Sequence, residues 1–158
     1  MLAVVLFFAL PVPHSLPEGS QSEIGVIFIQ GDIKTQEYKD PAWNVETQST
    51  SYDIKENEGL DVKERITSLL QNTRYYRTLA TIYRNLTNTS PAKTGFTGET
   101  LNIVYNSGDT VTTITLFENL IAVDGTYYSL GWNGTEKSNE LLKELHTILA
   151  DAEEYLEK

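Results

Sequence analysis

The residues of this 158-residue chain with chemistry to offer are two histidines, 22 carboxylates and a run of arginines set beside tyrosines. His14 lies in a Pro-rich stretch. His146 sits beside the apolar stripe of a predicted helix, where it reads as an ordinary boundary residue. A His–carboxylate pair does acid–base work only when both groups reach the same proton, and the spacing names no such pair. No G-x-S-x-G elbow is present, and no Gly-rich phosphate loop, H-E-x-x-H or calcium-loop pattern occurs. Among 22 acids some two must lie close, so carboxylate hydrolysis gains no specific residues from abundance. The absence of Cys removes disulfides, thiolate zinc sites and cysteine nucleophiles. The sequence therefore assigns no catalytic residue, no metal ligand and no cofactor.

Arginine and tyrosine carry the one candidate binding site, in the run Arg74-Tyr75-Tyr76-Arg77 with Arg84 beyond it. A guanidinium offers paired hydrogen bonds to phosphate or carboxylate while a tyrosine ring supplies contact area. The expected ligand is an anionic envelope component or an acidic protein partner. The charge pattern supports this choice, because Leu60–Lys93 holds six cations against two acids, net +4, in a chain of net charge −10. Glu136–Lys158 is the counterweight, with three cations against seven acids, net −4. An equally simple expectation is that the two segments face each other or solvent. The overall balance argues against nucleic-acid binding, which draws its affinity from clustered Lys and Arg.

The amino terminus, Met1–Leu10, is ten consecutive apolar residues followed by a Pro- and Ser-rich stretch. Ten helical residues cover ~15 Å, about half a hydrocarbon core, which matches a signal-peptide core or part of an anchor. A basic segment before it is missing, since the first Lys or Arg is Lys34. The expectation is export or membrane anchoring through residues 1–22, with Met1–Ser22 dispensable for folding and residues 23–158 forming one domain.

The elements that must position these residues follow from periodicity. Leu, Ile, Val and Phe supply about 27% of the chain, above the ~20% below which a charged chain stays unfolded. Ile24–Ile33 and Trp43–Ile54 read as two antiparallel strands joined by a Lys34–Pro41 loop, and Leu60–Leu70 as a helix. Thr78–Leu86 reads as a short second helix, with strand as the alternative, and Thr87–Thr100 as a polar loop. Leu101–Leu130 holds four short strands parted by Ser107-Gly108-Asp109, Glu118-Asn119 and Asp124-Gly125, the last a strong type I′ hairpin signal. A helix over Glu136–Leu156 carries Leu141, Leu142, Leu145, Ile148, Leu149, Ala152 and Leu156 as one apolar stripe. The order predicts an α+β domain with a mostly antiparallel sheet, a C-terminal meander and helices packed on one face.

The runs LLQNTRYYRTL and NIVYNSGDTVTTITLFENLIAVDGTYYSL resemble those of small membrane-tethered or secreted domains of unknown function from Gram-positive bacteria. The similarity covers about Ile24–Leu149 and rests on a helix, an Asn-Thr-Arg-Tyr turn and a meander closing on Val-Asp-Gly-Thr-Tyr-Tyr. It implies an extracytoplasmic, membrane-anchored or secreted α+β domain and lends no mechanism. The leading functional expectation is a non-catalytic binding domain. The alternatives are an immunity- or inhibitor-type protein acting through its acidic C-terminal helix, and a carboxylate-based hydrolase.

Overall fold

The structure is a computed structural model and describes residues 8, 10–33, 45–55, 59–89 and 96–156. Six strands form one antiparallel sheet: β1 (Glu23–Ile33), β2 (Val45–Ile54), β3 (Phe96–Ser107), β4 (Thr110–Phe117), β5 (Leu120–Val123) and β6 (Thr126–Ser129), in the order β2-β1-β3-β4-β5-β6. Among the described residues, longer helices cover Leu60–Asn72 (α1), Leu79–Thr87 (α2) and Gly134–Leu156 (α3). This is the predicted α+β class. The expected loop over Thr87–Thr100 is shorter than read, because β3 begins at Phe96 and runs beside β1. The Lys34–Pro41 connection lies outside the described residues.

Alternation explains which face is covered. Ile24, Val26 and Phe28 of β1 stand opposite Tyr105, Ile103 and Leu101 of β3, which continue to Ile114 and Leu116 of β4 and Ile121 of β5. All are at most 2% exposed. Against this face pack Val62, Ile66 and Leu70 of α1, together with Leu141, Leu142, Leu145, Ile148 and Leu149 of α3. These are α-helical stripes that bury what the strands present every second residue.

Turns form where the sequence demands them. Asp124 (φ 48°) and Gly125 (φ 77°) both take the left-handed conformation a type I′ hairpin requires. The Asp124 carboxylate also accepts from the Thr113 N–H at 2.7 Å, fixing the register of β4 against the turn.

The N-terminal stretch departs from its expected role as a free tether. Val12 is buried and its N–H donates to the Tyr75 carbonyl at 2.6 Å. The His14 ring stacks on Tyr75 with centroids 3.9 Å apart, and the Leu16 N–H donates to the Gln71 side chain at 3.0 Å. A 3-10 turn over Gly19–Gln21 then lies directly on α1. A Cβ at Gly19 would fall 2.7 Å from the Lys63 carbonyl oxygen, so only glycine permits the approach. Prolines do break regular structure here, yet the broken segment is a strap packed on the domain. The boundary placed at residues 22 and 23 is therefore corrected: from Val12 onward the chain belongs to the folded body.

Lys63 holds the strap from below. It is fully buried, and its ammonium donates to the Ser22 carbonyl at 2.8 Å and the Lys55 carbonyl at 3.1 Å, joining strap, β2 exit and α1.

Candidate functional site

The Arg–Tyr run sits between α1 and α2, and its local structure follows from how those helices end and begin. Helix α1 closes as the Thr73 hydroxyl donates to the Leu69 carbonyl at 2.9 Å. Helix α2 opens on a capping box, in which the Thr78 hydroxyl accepts from the Thr81 N–H at 3.1 Å and the Thr81 hydroxyl accepts from the Thr78 N–H at 2.9 Å. The link between them carries two β-bridges, Val12 with Tyr75 and Tyr76 with Ser129. Tyr76 and Ser129 exchange both backbone hydrogen bonds at 2.9 Å. The Asn85 side chain does the same for the next free pair along β6, accepting from the Tyr127 N–H at 2.8 Å and donating to its carbonyl at 3.0 Å. The outer edge of the meander is thereby closed against stray pairing.

This arrangement divides the predicted site. Tyr75 is 0% exposed, lying between His14 and Tyr128, with its hydroxyl donating to the Leu70 carbonyl at 3.3 Å. It is a core residue, which corrects its place in the exposed cationic surface. Arg74 is exposed and Tyr76 half-buried, and they border one open cavity of about 370 Å³ together with Lys137. Glu140 and Glu144 of α3 line the same cavity and balance its two cations. Arg77 is half-buried. Arg84, ten residues after Arg74 and within α2, does not border that cavity, and keeps its Nη1 buried without a hydrogen-bond partner among the described residues.

The net-positive segment thus meets the acidic helix within the fold. The groove between α1 and α3 mixes Asp61, Glu64, Glu140 and Glu144 with Arg65 and Lys143, and Arg65 reaches Asp151 at 3.1 Å. An exposed pair of this kind contributes ~0.2–1 kcal/mol. The acidic face expected of an inhibitor is likewise partly matched by the chain's own cations.

Acid–base chemistry finds one close pair, set outside the cavities described here. His146 and Glu99 approach to 2.9 Å, with the imidazole stacked on Phe28 at 3.9 Å, and the pair lines none of the cavities described above. No group of three or more His, Asp and Glu among the described residues is placed to hold a metal ion.

The buried tyrosines are not poised as bases. Desolvation raises the Tyr75 hydroxyl far above the ordinary tyrosine range, with the nearby Tyr105 adding to the effect. Burial pushes Tyr105 up to about 12, against a smaller lowering by its 3.2 Å hydrogen bond to Thr67. Both lose their proton more readily in the unfolded chain, whose tyrosines titrate near ~10. Their contribution to stability is complete below that pH and is lost above it, for Tyr105 as pH rises through about 12. The expected result is a melting temperature that falls steeply above pH ~10, with a shallower fall in Tyr105→Phe. Equal slopes for both proteins would count against it.

The surface that sequence reasoning missed is on α2. Leu79, Tyr83 and Leu86 recur at i, i+4 and i+7 and are 76%, 66% and 81% exposed, while the buried residue of the helix is Thr81. Helices ordinarily turn their apolar stripe inward; this one turns it to solvent. Trp132, fully exposed, borders a cavity with Thr78 and Ala80 and so stands beside the first turn of α2. The spacing was visible in the sequence, but its outward orientation was not.

No helix among the described residues is long and apolar enough to cross a membrane. No protein-family model matches the chain, and neither a curated protein nor a solved structure matches it.

Proposed function

We propose that this protein is a non-catalytic binding domain, acting outside the cytoplasm, whose working surface is the outward stripe of α2 together with Trp132. The observation that carries the reading is the inverted amphipathicity of α2, with three large apolar side chains in solvent above a buried threonine. Clustered exposed apolar residues mark interaction sites, and Trp and Tyr dominate the energetics of such surfaces. Arg74 and Tyr76 keep a part as polar neighbours of this surface, since they lie on the segment leading into α2. The export component of the reading rests on the apolar run Met1–Leu10.

The test is a Leu79→Ser/Leu86→Ser/Trp132→Ala variant compared with wild type in thermal melting and in binding of the apolar dye anilinonaphthalene sulfonate. A surface reserved for binding gives little change in melting, since exposed substitutions typically move stability by about ±0.5 kcal/mol each, and a clear loss of dye fluorescence. A melting drop of several degrees would show that the stripe is packed within the chain, and the proposal would fail.

A further inference from the structure

We infer that the α2–Trp132 surface seats on a lipid bilayer as a second attachment beside the apolar N-terminal run; this rests on reading that surface as a binding face. Three observations converge. The stripe of Leu79, Tyr83 and Leu86 runs along one side of a nine-residue helix, so all three side chains reach a flat apolar boundary together. Trp132 stands next to that helix with its whole side chain in solvent. Trp and Tyr are the residues that settle at the membrane–water interface, where an apolar ring and a polar tip are both satisfied.

The path of the chain supplies the third observation. The apolar run Met1–Leu10 leads into Val12, which is bridged to Tyr75, and Tyr75 is four residues before Leu79. Four extended residues span at most about 14 Å. The described end of the strap, at Val12, is therefore held near the start of α2. Leu10 itself is 56% exposed. A helix of ten residues covers ~15 Å of a hydrocarbon core about 30 Å thick, and stable attachment to a membrane generally takes two signals. The outward face of α2 is placed to be the second. The stripe itself carries no charged side chain, so the attachment is apolar and is expected on a neutral bilayer.

The full-length chain carrying Trp43→Phe leaves Trp132 as the sole tryptophan reporter. With phosphatidylcholine vesicles, its emission is expected to shift to the blue and to be quenched by acyl-brominated lipid. Adding Leu79→Ser/Leu86→Ser is expected to lower vesicle partitioning at least ~5-fold at an unchanged melting temperature, as loss of buried apolar area dictates. If Trp43→Phe does not fold, the same signal is read as the difference between wild type and Trp132→Phe. Protein that sediments with vesicles while Trp132 stays open to aqueous quencher overturns the inference and leaves the binding face intact. So does a stripe buried between two copies, seen as a concentration-dependent doubling of mass that the Leu79→Ser/Leu86→Ser variant abolishes. Absence of any sedimentation with vesicles overturns it too. Trp132 already shielded in the vesicle-free monomer, with the double Ser variant melting several degrees lower, would remove the binding face and the bilayer together.

Discussion

Removal of residues 1–22 lowers the melting temperature by more than ~10 °C, because the strap is part of the folded body. The deletion exposes the site of Val12, which is 7% exposed, and strips His14 from the face of the buried Tyr75. It also removes the Ser22 carbonyl from the Lys63 ammonium. Burial of one valine contributes about 1.5–3 kcal/mol, an aromatic stack about 0.5–1.5, and each lost hydrogen bond about 0.5–1.5. Together these approach ~4 kcal/mol, a large part of the 5–15 kcal/mol that holds a domain together. A deletion stopping at Leu10 keeps all the strap contacts named here and serves as the control. Calorimetry on both truncations decides the matter: equal melting temperatures would return Val12–Ser22 to the status of a tether.

Lys63→Met destabilises the protein by roughly 2 kcal/mol or more, an outcome unusual for a lysine, whose substitution on a surface is nearly silent. The methionine keeps the packed stem but strands the Ser22 and Lys55 carbonyls, which the ammonium satisfies at 2.8 and 3.1 Å. An unsatisfied buried acceptor costs about 1–3 kcal/mol, whereas a hydrogen bond made and kept contributes less. Hydrogen exchange should locate the damage, with faster exchange at Ser22 and at the beginning of β1 than across β3 and β4. Uniform protection with an unchanged denaturation midpoint would show that Lys63 carries no structural load.

Both predictions depend on features that the sequence did not display. Pro11, Pro13 and Pro17 announce irregular backbone, and irregular backbone next to ten apolar residues reads as a tether. Nothing local marks Val12 as buried, since its partner Tyr75 is about 60 residues away. Gly19 was the available signal, yet a glycine in a Pro-Ser stretch is expected for flexibility, and its need for close approach to the Lys63 carbonyl exists only after α1 has docked. Lys63, flanked by Val62 and Glu64, counted in sequence as one of six cations. Its burial arises because β2 and the strap each end with a carbonyl over the first turns of α1.

Short-range stereochemistry and periodicity account for the features legible from the order of residues. Asp124-Gly125 specifies a hairpin because both residues tolerate positive φ, and alternation in Leu101–Leu130 specifies which side chains face inward. The apolar stripe from Leu141 to Ala152 specifies a helix that must lie on that face. Tertiary structure alone decided the fate of the Arg–Tyr run. Adjacent tyrosines on extended backbone point opposite ways, and the bridge of Tyr75 to Val12 and of Tyr76 to Ser129 selects which ring is buried. It alone decided that α3 brings Lys137, Glu140 and Glu144 to Arg74. It also decided the direction of the α2 stripe. A helix of nine residues has the same periodicity whichever side it presents, and here the Asn85 side chain ties it to the open edge of β6 with Leu79, Tyr83 and Leu86 turned away.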